Sequence, residues 1–362
     1  MRNVFKSFIE IVAKVKSWRN DPAQKTKFYL LISAISILFI AFLWLVSIFL
    51  LPNSRSKQAE ILFVYDNFTI DSVANHLADQ GIIKNKATFL LVSKVYGYNS
   101  ESIKSGRYRI KPGVNNLNLV RKLKSGLQTP AKITLNNVRT LNELAGKLGS
   151  YMKADSSDFM QLFQDKTYLD SIGFSYETIM SLFIPDTYEM YWDLSPKRLV
   201  ERFQDINKKF WNKERLAKAD SLHLTTLQVY TLASIVEKET NKIDERPEIA
   251  GVYLNRLNQD MPLQADPTVV FANNDFTIKR VTSQHTAMDS PYNTYKYPGL
   301  PPGPICMPEK SSIDAVLHAT PHEFIYFCAR PDLSGYHSFA VTFNAHVQNA
   351  NAYRDFLDKN GY

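Results

Sequence analysis

The chain has 362 residues, 45% hydrophobic, 22% charged and 12% aromatic, which excludes a disordered chain, a collagen-like fibre and a polytopic membrane protein. Two cysteines cannot staple a chain of this length, so it is not a disulfide scaffold. The net charge of +8 is concentrated at one end: residues 1–27 hold +5 of it, and a body this close to neutral gives no nucleic-acid footprint.

In chain order, a basic tail (1–27) comes first. Phe5, Phe8, Ile9, Val12 and Val15 fall near one helical face, which suits a helix lying on a membrane surface; a frayed basic tail fits as well. Residues 28–51, FYLLISAISILFIAFLWLVSIFLL, carry no charge, Gly or Pro. At about 1.5 Å per residue the run reaches roughly 36 Å, enough to span a bilayer. It is too long for a signal-peptide core, and no A-x-A site follows. Seven Lys or Arg precede it, while only Arg55 and Lys57 follow closely. The positive-inside rule therefore predicts a single-pass protein of a bacterial inner membrane, N-terminus cytoplasmic and the rest in the periplasm. No P-loop and no GxGxxG contradict an ATP-free compartment. Wall polymers, lipids, exported proteins and small solutes remain as substrates.

Residues 58–130 read as a small α/β module. Ile61–Tyr65 is a β-type run, 69–80 an amphipathic helix ending at Gly81, and 85–96 a second helix closed by Gly97. Ser105–Gly113 alternates as a strand into a Pro-Gly turn, and a short helix begins at Asn116. After a linker near Gln128–Ala131, residues 131–362 form a larger unit with helices expected at 141–152, 157–163, 176–182 and 196–211. Beyond Gln264 it turns rich in loops and strands, so the fold class is α+β.

Four stretches in this unit have the composition of a site. Leu224–Lys242 is an apolar helix with a capping box at Thr225 and Gln228. Its apolar run ends at Glu237, one turn beyond Ala233 and Ser234. A carboxylate among small and apolar groups tends to hold its proton, as a general acid needs; a solvated glutamate at a helix end is the plainer alternative. Glu239 reads as a neighbouring decoy, projecting about 200° further round the helix. In Met261–Phe271, Gln264, Asp266 and Thr268 share one strand-parity face broken by Pro267, a spacing that suits sugar hydroxyls or else a simple Asp-Pro turn. Ser290–Pro308 is a rigid Pro- and Tyr-rich loop containing Asn293 and Tyr295. The segment 335–353 joins a β-like run to a helix near His346 and contains Asn344. No metal site is expected: HxxxH at His318 and His322 is broken by Pro321, HExxH is absent, and the two cysteines lie among apolar residues. GxSxG is absent too.

Taken together, LASIVEKET (232–240), LQADPT (263–268), PYNTYKYPGLPPGPI (291–305) and HSFAVTFNAH (337–346), with IPDTYEMY (184–191) upstream, resemble the YceG-like family of endolytic murein transglycosylases. The likeness extends over the chain beyond residue 27 and implies a LysM-like module at 58–130 and a transglycosylase domain at 131–362. It also implies cleavage of the MurNAc-β-1,4-GlcNAc bond within peptidoglycan strands to 1,6-anhydro ends, terminating growing strands, without a cofactor. On the resemblance Glu237 is catalytic, serving as acid and then base, and Gln264, Asp266, Thr268, Asn293, Tyr295 and Asn344 bind substrate. Penicillin-binding wall synthases are implied as partners. A non-catalytic wall-binding scaffold, or a hydrolytic muramidase with Asp266 or Asp186 as second carboxylate, stand as alternatives. One departure is local: the family's Glu-Gly pair after the first strand of the large unit is Asn136-Asn137 here.

Overall fold

The computed structural model describes residues 2–361; the side chains of residues 2–5, Phe5 among them, lie outside the described residues. The chain divides into two compact units, Met1–Thr129 and Pro130–Tyr362.

The first unit opens with two helices, α1 (Arg2–Asn20) and α2 (Lys25–Leu50). Phe8, Ile9, Ile11 and Val12 of α1 are exposed. So are most side chains of α2, which is long and apolar enough to cross a membrane. There follow β1 (Glu60–Val64), α3 (Ile70–Asp79), α4 (Lys86–Val95), a 3-10 turn at Ser100–Ser102, β2 (Gly106–Ile110) and α5 (Asn116–Ser125). β1 and β2 pair antiparallel, with Leu62 opposite Tyr108, giving a β-α-α-β unit closed by α5. Thr69, Asn85 and Asn115 cap α3, α4 and α5, each accepting a backbone N–H two or three residues inside its helix, which is why these helices begin where they do. Val64, Val73, Leu77, Phe89, Val92 and Leu119 fill the core. Ile48 of α2 belongs to that core, and the buried Asn116 amide donates to the Ile48 carbonyl (2.9 Å), so the end of α2 is bonded to the module.

The second unit contains β3 (Ala131–Leu135), α6 (Leu141–Tyr151), α7 (Ser156–Gln164), α8 (Lys166–Ser171), a 3-10 turn at Ile179–Leu182, β4 (Asp186–Met190), α9 (Pro196–Phe210) and α10 (Lys213–Ser221). Next are α11 (Thr226–Glu239), α12 (Arg246–Asn258), α13 (Asp266–Ala272), α14 (Ser283–Thr286), α15 (Lys310–Leu317), β5 (Tyr326–Ala329), β6 (His337–Ala340) and α16 (Phe343–Asn360). β3 pairs antiparallel with β4, and β5 with β6. The architecture is α+β, with two-stranded ribbons on a helical core. Phe163, Phe183 and Phe203 meet ring to ring there, and α11 is its buried axis: residues 229–237 are all buried. A helix apolar on both broad faces has to be enclosed, and α11 packs against α12, α13 and α15.

Two expectations change. Residues 266–272 are helical, not a strand: Pro267 lies in the first turn of α13, where its missing N–H costs no hydrogen bond. At 176–182 only one 3-10 turn forms.

Candidate active site

α11 begins at the expected capping box. Thr225 Oγ1 accepts from the Gln228 N–H, and Gln228 Oε1 accepts from the Thr225 N–H. Its C-terminal turn carries both glutamates, and the structure sends them to opposite sides.

Glu237 faces α15. It is 8% exposed, and Oε2 accepts two hydrogen bonds, from the Glu309 N–H (2.5 Å) and the Ser312 hydroxyl (2.9 Å). Glu309 is the residue that starts α15, so this carboxylate occupies the N-terminus of a neighbouring helix, where unpaired N–H groups and the helix dipole favour an anion. Arg246 continues the network by donating to Ser311 and Ser312. Glu237 is not among the residues that line the neighbouring cavity.

Glu239, the last residue of α11, opens instead onto a cavity of about 250 Å³. Tyr253, Arg256, Gln264, Asp266, Tyr295 and His346 line it with Leu263 and Phe327. The buried Tyr253 hydroxyl donates to Glu239 Oε1 (2.6 Å). Burial pushes the Glu239 carboxyl up to about 7; the Tyr253 hydrogen bond opposes this, Asp266 adds to it, and Arg256 opposes it weakly. Across the cavity the Tyr295 hydroxyl donates to Asp266 Oδ1 (2.7 Å).

The walls are held by buried polar groups. Arg256 ties α12 to the loops on either side, donating to the carbonyls of Leu263 (2.8 Å) and Ile325 (2.7 Å). Thr294 Oγ1 accepts from the Ala265 N–H and bonds Thr268 Oγ1 (2.8 Å), while the Thr294 carbonyl accepts from the Gln264 N–H. Gln264 itself sits in the left-handed region (φ 50), a strained conformation that this pairing holds in place. The Asn293 amide donates to the carbonyls of Thr286 and Met288, and its oxygen accepts from the Tyr295 N–H. Ser234 anchors the Pro-rich loop to α11 by accepting from the Ile305 N–H (3.0 Å). His346 stacks on Tyr326 with its Nδ1 buried and unpartnered; burial, then Arg256, push its pKa down, so it is neutral near pH 7.

Of the residues expected from sequence, Gln264, Asp266 and Tyr295 therefore meet in one cavity. Thr268 and Asn293 are buried braces behind its wall, and Asn344 is exposed on α16 outside it. Glu237 is replaced at the cavity by Glu239, because α15 covers one side of α11 and the cavity opens on the other. Asp186 does not line it either: Lys310 pairs with it and holds its carboxyl below the usual range. Tyr253, Arg256, Phe327 and His346 were missed. Glu239 is an acid in the last turn, against the helix dipole, but Glu237 shares that turn, so this signal does not tell the two apart.

The sequence model of the YceG-like family matches residues 62–352. An endolytic murein transglycosylase of Streptococcus pneumoniae is 27% identical over 320 residues, which cover 77% of this chain and 56% of that protein; the chain thus spans little more than half of that relative's length. Its counterpart in Bacillus subtilis is 26% identical over 309 residues, covering 80% of this chain and 84% of that protein. The crystal structure of a yceG-like protein from Listeria monocytogenes superimposes with a TM-score of 0.53 at 28% identity, covering 81% of this chain and 99% of that one.

Proposed function

The chain belongs to the YceG-like family, and from that premise we propose that it is a peptidoglycan lytic transglycosylase with Glu239, rather than Glu237, as its acid and base. The observation that carries this is a carboxyl whose pKa stands at about 7, opening onto a cavity beside Asp266, Tyr295 and Gln264. A carboxyl with that pKa is protonated often enough near neutral pH to donate, and basic enough afterwards to accept.

The steps follow from this. Protonated Glu239 gives its proton to the oxygen between MurNAc and GlcNAc, and the MurNAc C1 passes through an oxocarbenium-like state. The Tyr253 hydroxyl supports the carboxylate as it forms. Glu239 then takes the proton of the MurNAc C6 hydroxyl as that oxygen attacks C1, closing the 1,6-anhydro ring. The nucleophile belongs to the substrate, so holding C6–OH against C1 supplies the proximity advantage. Asp266, anchored by Tyr295, adds negative charge to the cavity where positive charge develops.

In the same reading α2 spans the cytoplasmic membrane with residues 1–27 inside, and the β-α-α-β unit at 58–130 is a LysM-like grip on glycan. Penicillin-binding wall synthases are its proposed partners, since they supply nascent strands at that membrane. The test is a digest of purified glycan strands followed by mass spectrometry. Anhydro-ended fragments are expected, and Glu239→Gln should lower the rate by roughly 10²–10⁴-fold. Reducing ends would mean hydrolysis, and intact strands a scaffold; either refutes the assignment.

A further inference from the structure

The second unit holds another cavity, of about 420 Å³, at the far end of α13. Asp266 begins α13 in the Glu239 cavity, and Phe271 and Ala272 end it in this one; six steps of about 1.5 Å separate the two ends by roughly 9 Å, the reach of a short stretch of glycan. The Pro-rich loop serves both as well, with Tyr295 in the first cavity and Tyr292 in the second. A polymer lying across one therefore lies near the other.

Arg139 is the distinctive group here. Its guanidinium lies over the Phe276 ring (4.5 Å to the centroid) and faces the cavity half-buried. Among the described residues no acceptor or carboxylate pairs with that guanidinium, although its backbone N–H is fixed by Glu143 (2.7 Å). Glu177, the carboxylate at the rim, accepts from the Ser175 hydroxyl instead. Tyr292 packs on Phe271 (4.7 Å between centroids), and Asn142, Asn274 and the exposed Tyr176 complete a wall that is aromatic and amide-rich. A preset planar fork with no internal acceptor is built for a carboxylate from outside the chain.

Resting on the transglycosylase reading, we propose that this cavity binds the short peptide carried by the glycan strand, with Arg139 receiving one of its carboxylates. The enzyme then reads its substrate twice, the sugars at Glu239 and the peptide at Arg139, and prefers strands that still carry peptides.

The test uses the full chain in detergent and a synthetic stem tripeptide with free carboxylates, set against the same tripeptide with those carboxylates amidated. Titration followed by NMR should give at least tenfold tighter binding of the free acid. Arg139→Gln should remove that difference, Arg139→Lys should restore part of it, and Glu239→Gln should keep it. Equal affinity for the two peptides, or an Arg139→Gln chain that still discriminates, would overturn the proposal. Melting temperatures guard against a folding defect, and Tyr176→Ala gives a second variant at an exposed position; it should weaken the free acid severalfold. Binding is read apart from cleavage. A chain that binds the peptide and cuts no glycan sinks the transglycosylase reading alone, and one that cuts glycan and ignores the carboxylate sinks only this inference.

Discussion

Two glutamates two positions apart in sequence project to different neighbours, Glu237 to the start of α15 and Glu239 to the cavity. Glu237 holds the start of α15. Glu237→Ala strands the Glu309 N–H and the Ser312 hydroxyl in a buried site, which should cost about 1–3 kcal/mol, visible as a lower Tm. Glu239→Gln should behave oppositely, lowering turnover by roughly 10²–10⁴-fold while sparing the fold. Its pKa also fixes a sign. The folded carboxyl stands at about 7 against 4.5 for an unperturbed one, so the folded state keeps a proton that the unfolded chain gives up. Stability is full below pH about 4.5 and falls as pH rises to about 7, by up to about 3 kcal/mol, and Glu239→Gln should be free of that decline. Denaturant midpoints measured at pH 4.5 and pH 8 for both proteins test this; an equal slope refutes it. Activity should carry a descending limb near pH 7. Tyr253→Phe deletes a bond that favours the ionised form and moves the limb up, whereas Asp266→Asn removes a repelling charge and moves it down. Shifts in the same direction would contradict this account of the cavity.

At the scale of elements, much was legible where local chemistry decides. The Thr225 capping box set the start of α11, and the helices that Thr69, Asn85 and Asn115 cap begin close to where the apolar pattern placed them. Asn137 explains itself in hindsight: it takes φ 49, a left-handed conformation that glycine adopts freely and asparagine tolerates, at the position where the family resemblance led us to expect glycine. Hidden from the sequence was everything set by which helix lies where. Glu237 and Glu239 differ only in whether α15 or the cavity faces them. Thr268 and Asn293 have the composition of sugar ligands, yet both are consumed in bracing loops. Asp-Pro at 266–267 reads as a break in a strand or as the first turn of a helix, and only the packing of α13 on α11 decides. The Pro-rich loop depends on one close approach. A Cβ on Gly303 would stand 2.1 Å from the Glu177 carbonyl oxygen, which is backbone and cannot step aside. Gly303→Ala should shift this loop, costing about 1–3 kcal/mol and lowering turnover through Tyr292 and Tyr295. A variant with wild-type Tm and turnover would show that the loop has more slack than the structure gives it.

For the whole molecule, the question is what the first unit contributes to a site that lies wholly in the second. The cavity, its titrating carboxyl and both supporting tyrosines come from residues after Pro130, and that unit encloses its own core. A chain beginning at Pro130 should therefore fold and cut soluble glycan fragments with a kcat close to that of the full protein, while losing affinity for long strands if the β-α-α-β unit grips them. A severalfold higher KM with unchanged kcat is the expected pattern, and a large fall in kcat on short fragments would mean that the first unit shapes the site itself. In the proposed reading the N-terminal helices act on another variable, position. With net +5 before the apolar span and two basic residues soon after it, the proposed orientation has the N-terminus inside. A periplasm-dependent phosphatase fused after Lys57 should be active and one fused after Lys16 silent. The Asn116 amide and Ile48 join the end of α2 to the module, so on the proposed reading of α2 as a membrane span the module would be held at the membrane surface rather than on a free tether. Disturbing this joint by Asn116→Ala should leave cleavage of soluble fragments intact and reduce cutting of strands still being made at the membrane. Equal activity on both substrates would separate the anchor from the enzyme's choice of target.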